Sequence, residues 1–219
     1  MRRITRSRIS AISAAALLAA AGMTATNASA APQAQWTVAN PAANDAFSAT
    51  NVSGVNAVLT NVTTGATITC SVYAATGTAV DGVYASGTGL ATISSATFGT
   101  SATKCNGPLG SKWVSSSVQA MKLNGVTYSA GVTKGTLTGV KVSLTGTSLL
   151  GTCNATIEGA ANTGSYTNAT GVLEIVPDAT PALTVTSATG QCANLIKTGD
   201  KAKFGAKYKV TPVITVTSP

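Results

Sequence analysis

Apolar and polar residues alternate with a period of two through much of this chain. Ile68, Cys70 and Val72 are interleaved with Thr67, Thr69 and Ser71. Val140, Val142 and Leu144 are interleaved with Lys141 and Ser143, and Cys153, Ala155 and Ile157 with Asn154, Thr156 and Glu158. Leu173 with Ile175, and Leu183 with Val185, keep the same rhythm. Side chains on a strand alternate between its faces, so each run predicts a strand with one buried face. Turn residues punctuate the runs at Asn40-Pro41, Asn44-Asp45, Asn124-Gly125, Gly159 to Gly164 and Ala169-Thr170-Gly171. Asn124-Gly125, between Met121–Leu123 and Val126–Tyr128, predicts a two-residue hairpin. No stretch beyond the N-terminal segment combines a helical period with caps. The expected fold is all-β: about a dozen short antiparallel strands closed as a sandwich or barrel.

The sharpest pattern lies near the C-terminus. Lys201, Lys203, Gly205, Lys207 and Lys209 share one face of a strand, and Ala202, Phe204, Ala206, Tyr208 and Val210 the other. The second set predicts a core face. The first is a lysine stripe, with Lys197 just before it. A stripe of this kind can be a contact for an anionic partner, the guard that keeps an exposed edge strand from pairing, or simply a solvated face. The pattern leaves all three open.

Residues 1–30 stand apart. Arg2, Arg3, Arg6 and Arg8 are followed by an apolar stretch, Ile9 to Gly22, broken by Ser10 and Ser13, and then by Ala28-Ser29-Ala30. Basic head, apolar centre and small-x-small site are the parts of a secretory signal peptide, with cleavage expected after Ala30. The apolar run is shorter than the roughly 20 residues a spanning helix needs. The residues after Arg2-Arg3 favour general secretion over the twin-arginine route. No Cys at the cleavage site can take a lipid, and the end, Val216-Thr217-Ser218-Pro219, has no apolar tail. The expectation is an extracellular protein, released or associated with the cell wall, whose mature chain has no membrane span. Residues 31–50 read as a lead-in and 51–219 as the β-rich domain.

Composition changes the picture once the leader is set aside. The whole chain has 14 basic and 6 acidic residues, net +8. All the arginines lie in the leader, so the mature part has 14 − 4 = 10 lysines against 6 acids, net +4. Four cysteines in an exported chain predict two disulfides. Cys70 and Cys105 are 35 residues apart, and Cys153 and Cys192 are 39 apart. Each first cysteine follows a similar run, Gly54–Thr60 or Gly139–Thr145, and each second follows Ser-Ala-Thr, at 95–97 or 187–189. The spacing suggests an internal duplication, half-repeats 51–130 and 131–219, and the pairing Cys70–Cys105 and Cys153–Cys192.

Much catalytic chemistry is missing. The chain has no His, which removes the usual Ser-His and Cys-His systems and most catalytic zinc sites. Paired cysteines leave no thiol, and the mature part has no Arg to clamp phosphate. No phosphate-cradling Gly loop is present. Ser101-Ala102-Thr103-Lys104 and Lys197-Thr198-Gly199 match S-x-x-K and K-T-G, but a Gly-rich loop is the wrong setting for a helix-opening Ser. Glu158, Glu174, Asp178 and Asp200 could supply a glycosidase carboxylate pair, or be solvated acids. Trp36, Trp113 and Tyr166 could stack on sugars, or belong to the core. No cofactor or metal is expected.

Several motifs occur in order: Cys105-Asn106-Gly107-Pro108-Leu109-Gly110, Gly131 to Val140, Tyr166-Thr167-Asn168 with Gly171-Val172-Leu173, Cys192 with Leu195 to Asp200, and Tyr208 to Pro212. Together they resemble a group of small secreted actinobacterial proteins of unknown function, over residues 55–219. The resemblance implies an exported, β-rich, four-cysteine protein and brings no ligand or reaction. The chain departs from that group near Met121–Asn124, where a Pro-Trp commonly precedes the Leu.

The functional expectation is a secreted, non-enzymatic β-protein at the cell surface or in the extracellular matrix. Lys197, Lys201, Lys203, Lys207 and Lys209 are its candidate contacts for an anionic cell-wall polymer or glycan. Specific nucleic-acid recognition is not expected, with no Arg and no aromatics among those lysines. The alternatives are a carbohydrate hydrolase using two carboxylates and a pore-forming β-barrel.

Overall fold

The computed structural model describes residues 35–219 apart from 149, 150, 181 and 193. The expected signal peptide and its cleavage after Ala30 lie outside the described residues. Strands are numbered in chain order. Three short ones, β1 (Trp36–Ala39), β6 (Gly82–Tyr84) and β16 (Thr215–Thr217), form a small sheet with β1 in the middle. The rest belong to one antiparallel sheet.

That sheet is a closed barrel. In the first half of the chain, β2 (Ala46–Asn51) and β3 (Ala57–Asn61) lie end to end, and β4 (Thr67–Cys70) and β5 (Tyr73–Thr78) return beside them. Next come β7 (Ala91–Phe98) with β8 (Cys105–Asn106), and then β9 (Lys112–Ser117) with β10 (Met121–Ser129). The second half adds β11 (Val132–Ser148), β12 (Gly151–Thr167), the pair β13 (Val172–Ile175) and β14 (Leu183–Gly190), and β15 (Lys201–Thr211). Taking each end-to-end pair as one stave, these strands make eight staves, four from each half. Neighbours in sequence are neighbours in space. β11 pairs with β9 and β10 on one side and β12 on the other. β15 pairs with β13 and β14 on one side and with β2 and β3 on the other, so the last stave closes on the first. This is an up-and-down barrel, which leaves no free edge in the wall.

The period-two pattern sets the two faces of the wall. Leu137, Val140, Leu144, Ala155, Ile157, Leu173, Val185, Ala206 and Tyr208 are buried inside. Tyr73 stands edge-on to Tyr208 with ring centroids 5.0 Å apart, and Phe98 to Phe204 at 5.2 Å. Outside, the ladder carries Lys141, Ser143 and Thr145 opposite Glu158, Thr156 and Asn154. Apolar residues inside and polar ones outside is the reverse of what a membrane-spanning barrel presents to lipid. No helix among the described residues is long and apolar enough to cross a membrane.

Both ends of the barrel are covered. At the upper end the β1 sheet turns Trp36, Val38 and Val216 inward. The Trp36 ring lies on Gly125 of β10, where an added Cβ would come within 2.6 Å of it. Tyr166 Oη donates to the Ile214 carbonyl at 2.8 Å and accepts from the Ile214 N–H at 2.9 Å, and Asn168 brackets Val216 in the same way. At the lower end Trp113 lies on Gly146 and donates from Nε1 to Ser111 Oγ at 2.8 Å. Residues 194–200 cover that end, with Ile196 buried. Asp200 secures them, accepting from Asn61 Nδ2 at 2.6 Å and the Lys197 N–H at 2.8 Å.

Disulfides join Cys70 to Cys105 and Cys153 to Cys192, as the spacing predicts, and no cysteine is free. Each ties a second stave to a third within its own half: β4 to β8, and β12 to the residues after β14. The halves thus occupy equivalent places in one barrel.

Three expectations are corrected. Asn124-Gly125 is not a hairpin turn, because β10 runs straight through it and pairs Gly125 with Gly135. The turn is at Ala130-Gly131, where φ is +49° and +80°, as a two-residue hairpin of this hand requires. Gly159 to Gly164 is likewise not a turn but the irregular middle of β12. The segment 31–50 is more than a lead-in, since it carries β1 and most of β2.

Candidate functional site

The lysine stripe is where the sequence places it, on the outer face of β15. Ala202, Ala206, Tyr208 and Val210 are buried inside, while Lys201 and Lys209 are exposed and Lys203 and Lys207 half-buried. The second reading of the stripe is overturned: β15 is hydrogen-bonded on both sides, so its lysines guard no edge. Alternate residues on a strand are about 6.7 Å apart, so Lys201 with Lys203 and Lys207 with Lys209 form two pairs along the wall, separated by Gly205, against which Pro177 packs. Lys207 pairs with Glu174 of β13 at 3.0 Å, at the register position directly opposite. Lys201 Nζ donates to Thr184 Oγ1 at 2.8 Å, and Lys209 Nζ to the Thr170 carbonyl. Lys203 faces Thr60 of β3 across the ladder. Lys197 stands apart from the row, in the lower covering segment, where its N–H serves Asp200. The surrounding outer positions, Ser48, Thr50, Thr60 and Thr184, carry no charge.

The four candidate carboxylates are dispersed and engaged. Glu158 pairs with Lys141 at 3.1 Å and accepts from Thr186 Oγ1 at 3.1 Å. The Lys141 ammonium, then the Thr186 hydroxyl, hold its carboxyl below the usual range, the opposite of what a general acid needs. Glu174 is occupied by Lys207. Asp178 accepts from Thr163 Oγ1 at 2.6 Å, and Asp200 belongs to the lower covering. None of the four lines either large cavity of the barrel. Ser101 to Lys104 form an exposed turn closed by Thr100 and Thr103, and Thr198 Oγ1 accepts from the Ala188 N–H. Neither segment opens a helix. No group of three or more His, Cys, Asp or Glu among the described residues could hold a metal ion.

Trp36 and Trp113 are 6% and 2% exposed, and Tyr166 has both hydroxyl functions committed to Ile214. They are walls and covers rather than platforms for sugars. Burial pushes the Tyr166 hydroxyl above its ordinary pKa, the Ile214 hydrogen bond opposing.

The interior holds a feature that the sequence does not announce. Two cavities, of about 90 and 80 Å³, follow one another along the barrel axis. They share Phe47, Leu137, Ala161, Leu173 and Ile175, which form a diaphragm between them. Thr133 lines the upper one, and its hydroxyl is buried without a hydrogen-bond partner among the described residues. In sequence it is one threonine of many, and only its inward register on β11 sets it apart.

No protein-family model matches this sequence, and no curated protein and no solved structure matches it either. The fold and its faces define a disulfide-tied, closed up-and-down β-barrel with a polar exterior.

Proposed function

We propose that this protein is exported and works without catalysis at the cell surface or in the extracellular matrix, laying the outer face of β15 against an anionic polymer. The observation that carries this reading is the gathering of four lysines on the outer face of β15, a strand paired along both sides in the closed wall. With its backbone paired on both sides, a row of lysines there has no role in guarding an edge. The partner's chemistry follows from the row. Two pairs of ammonium groups, Lys201 with Lys203 and Lys207 with Lys209, set on a Ser- and Thr-rich wall on either side of Gly205, suit a chain of repeated phosphate or carboxylate groups, such as a cell-wall polymer or acidic glycan. Lysine offers point charges without bidentate forks, which fits a flexible polyanion better than one shaped anion. Export is supported by the leader and the two disulfides. The resemblance to small secreted actinobacterial proteins points the same way.

The test is co-sedimentation of residues 31–219 with isolated cell wall and, separately, with polyphosphate, across a salt series. Binding should weaken steeply with salt, and Lys203→Glu with Lys207→Glu should weaken it about tenfold or more at low salt. Reversal at Lys104, in the exposed turn before β8, and at Lys134 of β11 should have little effect. Binding that ignores salt, or falls equally in both variants, would remove the stripe from the account.

A further inference from the structure

We infer that the upper cavity of the barrel is a binding site for a small, mainly hydrocarbon molecule that carries one hydroxyl or carbonyl group and hydrogen-bonds to Thr133. The inference is independent of the lysine face.

Part of the cavity wall is backbone without side chains. Gly125 of β10, Gly135 of β11 and Gly164 of β12 stand side by side in register, and all three line it. Val38, Leu90, Leu123, Leu173 and Ile214 are among the apolar side chains of the remaining wall. The polar side chains nearby are already committed. Tyr166 serves Ile214, Thr163 serves Val176 and Asp178, and Asn124 serves Gly89, Thr136 and Thr138.

Thr133 is the exception. It is 7% exposed, and its Oγ1 has no partner among the described residues. Leaving a buried hydroxyl unpaired costs free energy, so such a group calls for an explanation. A buried water is held by about three hydrogen bonds, and here it would find one free group. A hydrocarbon body with a single polar atom matches both the wall and the orphan hydroxyl, which can donate to a carbonyl or accept from an alcohol. An apolar cavity of about 150 Å³ suffices for benzene, so one of about 90 Å³ suits about three to four non-hydrogen atoms.

The probes are propan-2-ol, acetone and propane, titrated into residues 31–219 and followed by the methyl signals of Thr133, Val38, Leu90, Leu123 and Leu173. The two oxygenated probes should shift these methyls and bind about tenfold more tightly than propane. Thr133→Val, which keeps the shape and removes the hydroxyl, should abolish the preference, and Thr133→Ser should keep it. The proposal is overturned if the upper methyls do not respond, if propane binds as well as propan-2-ol, or if Thr133→Val keeps the preference. Should the Val variant fail to fold, the preference measured in the native protein and in Thr133→Ser still decides.

Discussion

All four staves between residues 46 and 129 are built from two pieces, whereas between 132 and 211 three staves are continuous and only the third is broken. The two halves fill equivalent places in the barrel, yet they satisfy their backbones differently. In the second half, β11 and β12 pair from Val132 opposite Thr167 to Ser148 opposite Gly151. In the first half, side chains stand in where the ladder stops. At the break between β2 and β3, the Lys207 N–H of β15 would face a gap. Tyr73 reaches into it, its hydroxyl 2.8 Å from the Lys207 carbonyl and 3.3 Å from the Lys207 nitrogen. At the break between β9 and β10, Ser117 Oγ accepts from the Ala96 N–H at 2.9 Å, and Gln119 Nε2 donates to the Gly139 carbonyl at 2.8 Å. Buried backbone groups must be paired. The second half meets that demand mainly with continuous strands, side chains serving beside its one broken stave, where Thr163 donates to the Val176 carbonyl and Thr198 accepts from the Ala188 N–H, and the first half leans on side chains at more of its breaks. Single substitutions in the first half should therefore disturb the wall more.

The disulfides make the largest contrast. Loops of 35 and 39 residues should confer nearly equal stabilisation through loop closure, about 3–4 kcal/mol each. Cys70 and Cys105 are both buried, while Cys192 is half-exposed. Truncating the first pair also leaves a cavity in the core. Cys70→Ala with Cys105→Ala should therefore cost more than Cys153→Ala with Cys192→Ala in urea unfolding. The reverse order would mean that the second half is the weaker.

Tyr73→Phe comes next. It removes the hydroxyl that serves Lys207 and should cost about 1–3 kcal/mol of global stability. Tyr166→Phe removes a similar bracket, but on the upper covering. Its effect should appear as faster hydrogen exchange in β1 and β16, with a smaller change in the global transition. Equal global losses would erase the distinction between wall and cover.

Alkaline pH probes the same tyrosines. Burial raises the pKa of Tyr208 most, with Tyr73 adding to it, and burial also raises Tyr73 and Tyr166 above the ordinary value of 10.0. Above that value the unfolded chain releases phenolic protons that the folded chain keeps, so stability should fall as pH rises and be fully present below it. Tyrosine ionisation read by absorbance should coincide with unfolding for these three residues. Early ionisation of all five tyrosines in a folded protein would contradict the burial.

The smallest effect belongs to the surface. Lys141→Ala, which breaks the exposed pair with Glu158, should change stability by less than about 1 kcal/mol.

Much of this architecture is legible in the sequence because period-two patterning and cysteine spacing are local signals. The core and lysine faces of β15 and both disulfides follow from them. Closure does not, because nothing local says that β15 pairs with β2 and β3, which precede it by about 150 residues. The Asn124-Gly125 reading fails for a physical reason. Gly125 is needed where the Trp36 ring lies against the backbone, and Asn124 spends its amide on Thr136 and Thr138 rather than on a turn. Ala130-Gly131 makes the turn with a weaker signature. Thr133 shows nothing locally, since its buried, unpartnered hydroxyl follows from inward register on β11, which only the folded barrel sets.

The central claim is that the outer row of β15 is the contact face. Lysine-selective isotope labelling followed by NMR titration with polyphosphate tests it most directly. The ten lysines provide their own controls. Lys201, Lys203, Lys207 and Lys209 should shift first and together, and Lys104, Lys112, Lys122 and Lys134 should respond little. A uniform response across all ten, or a larger one outside β15, would contradict the account.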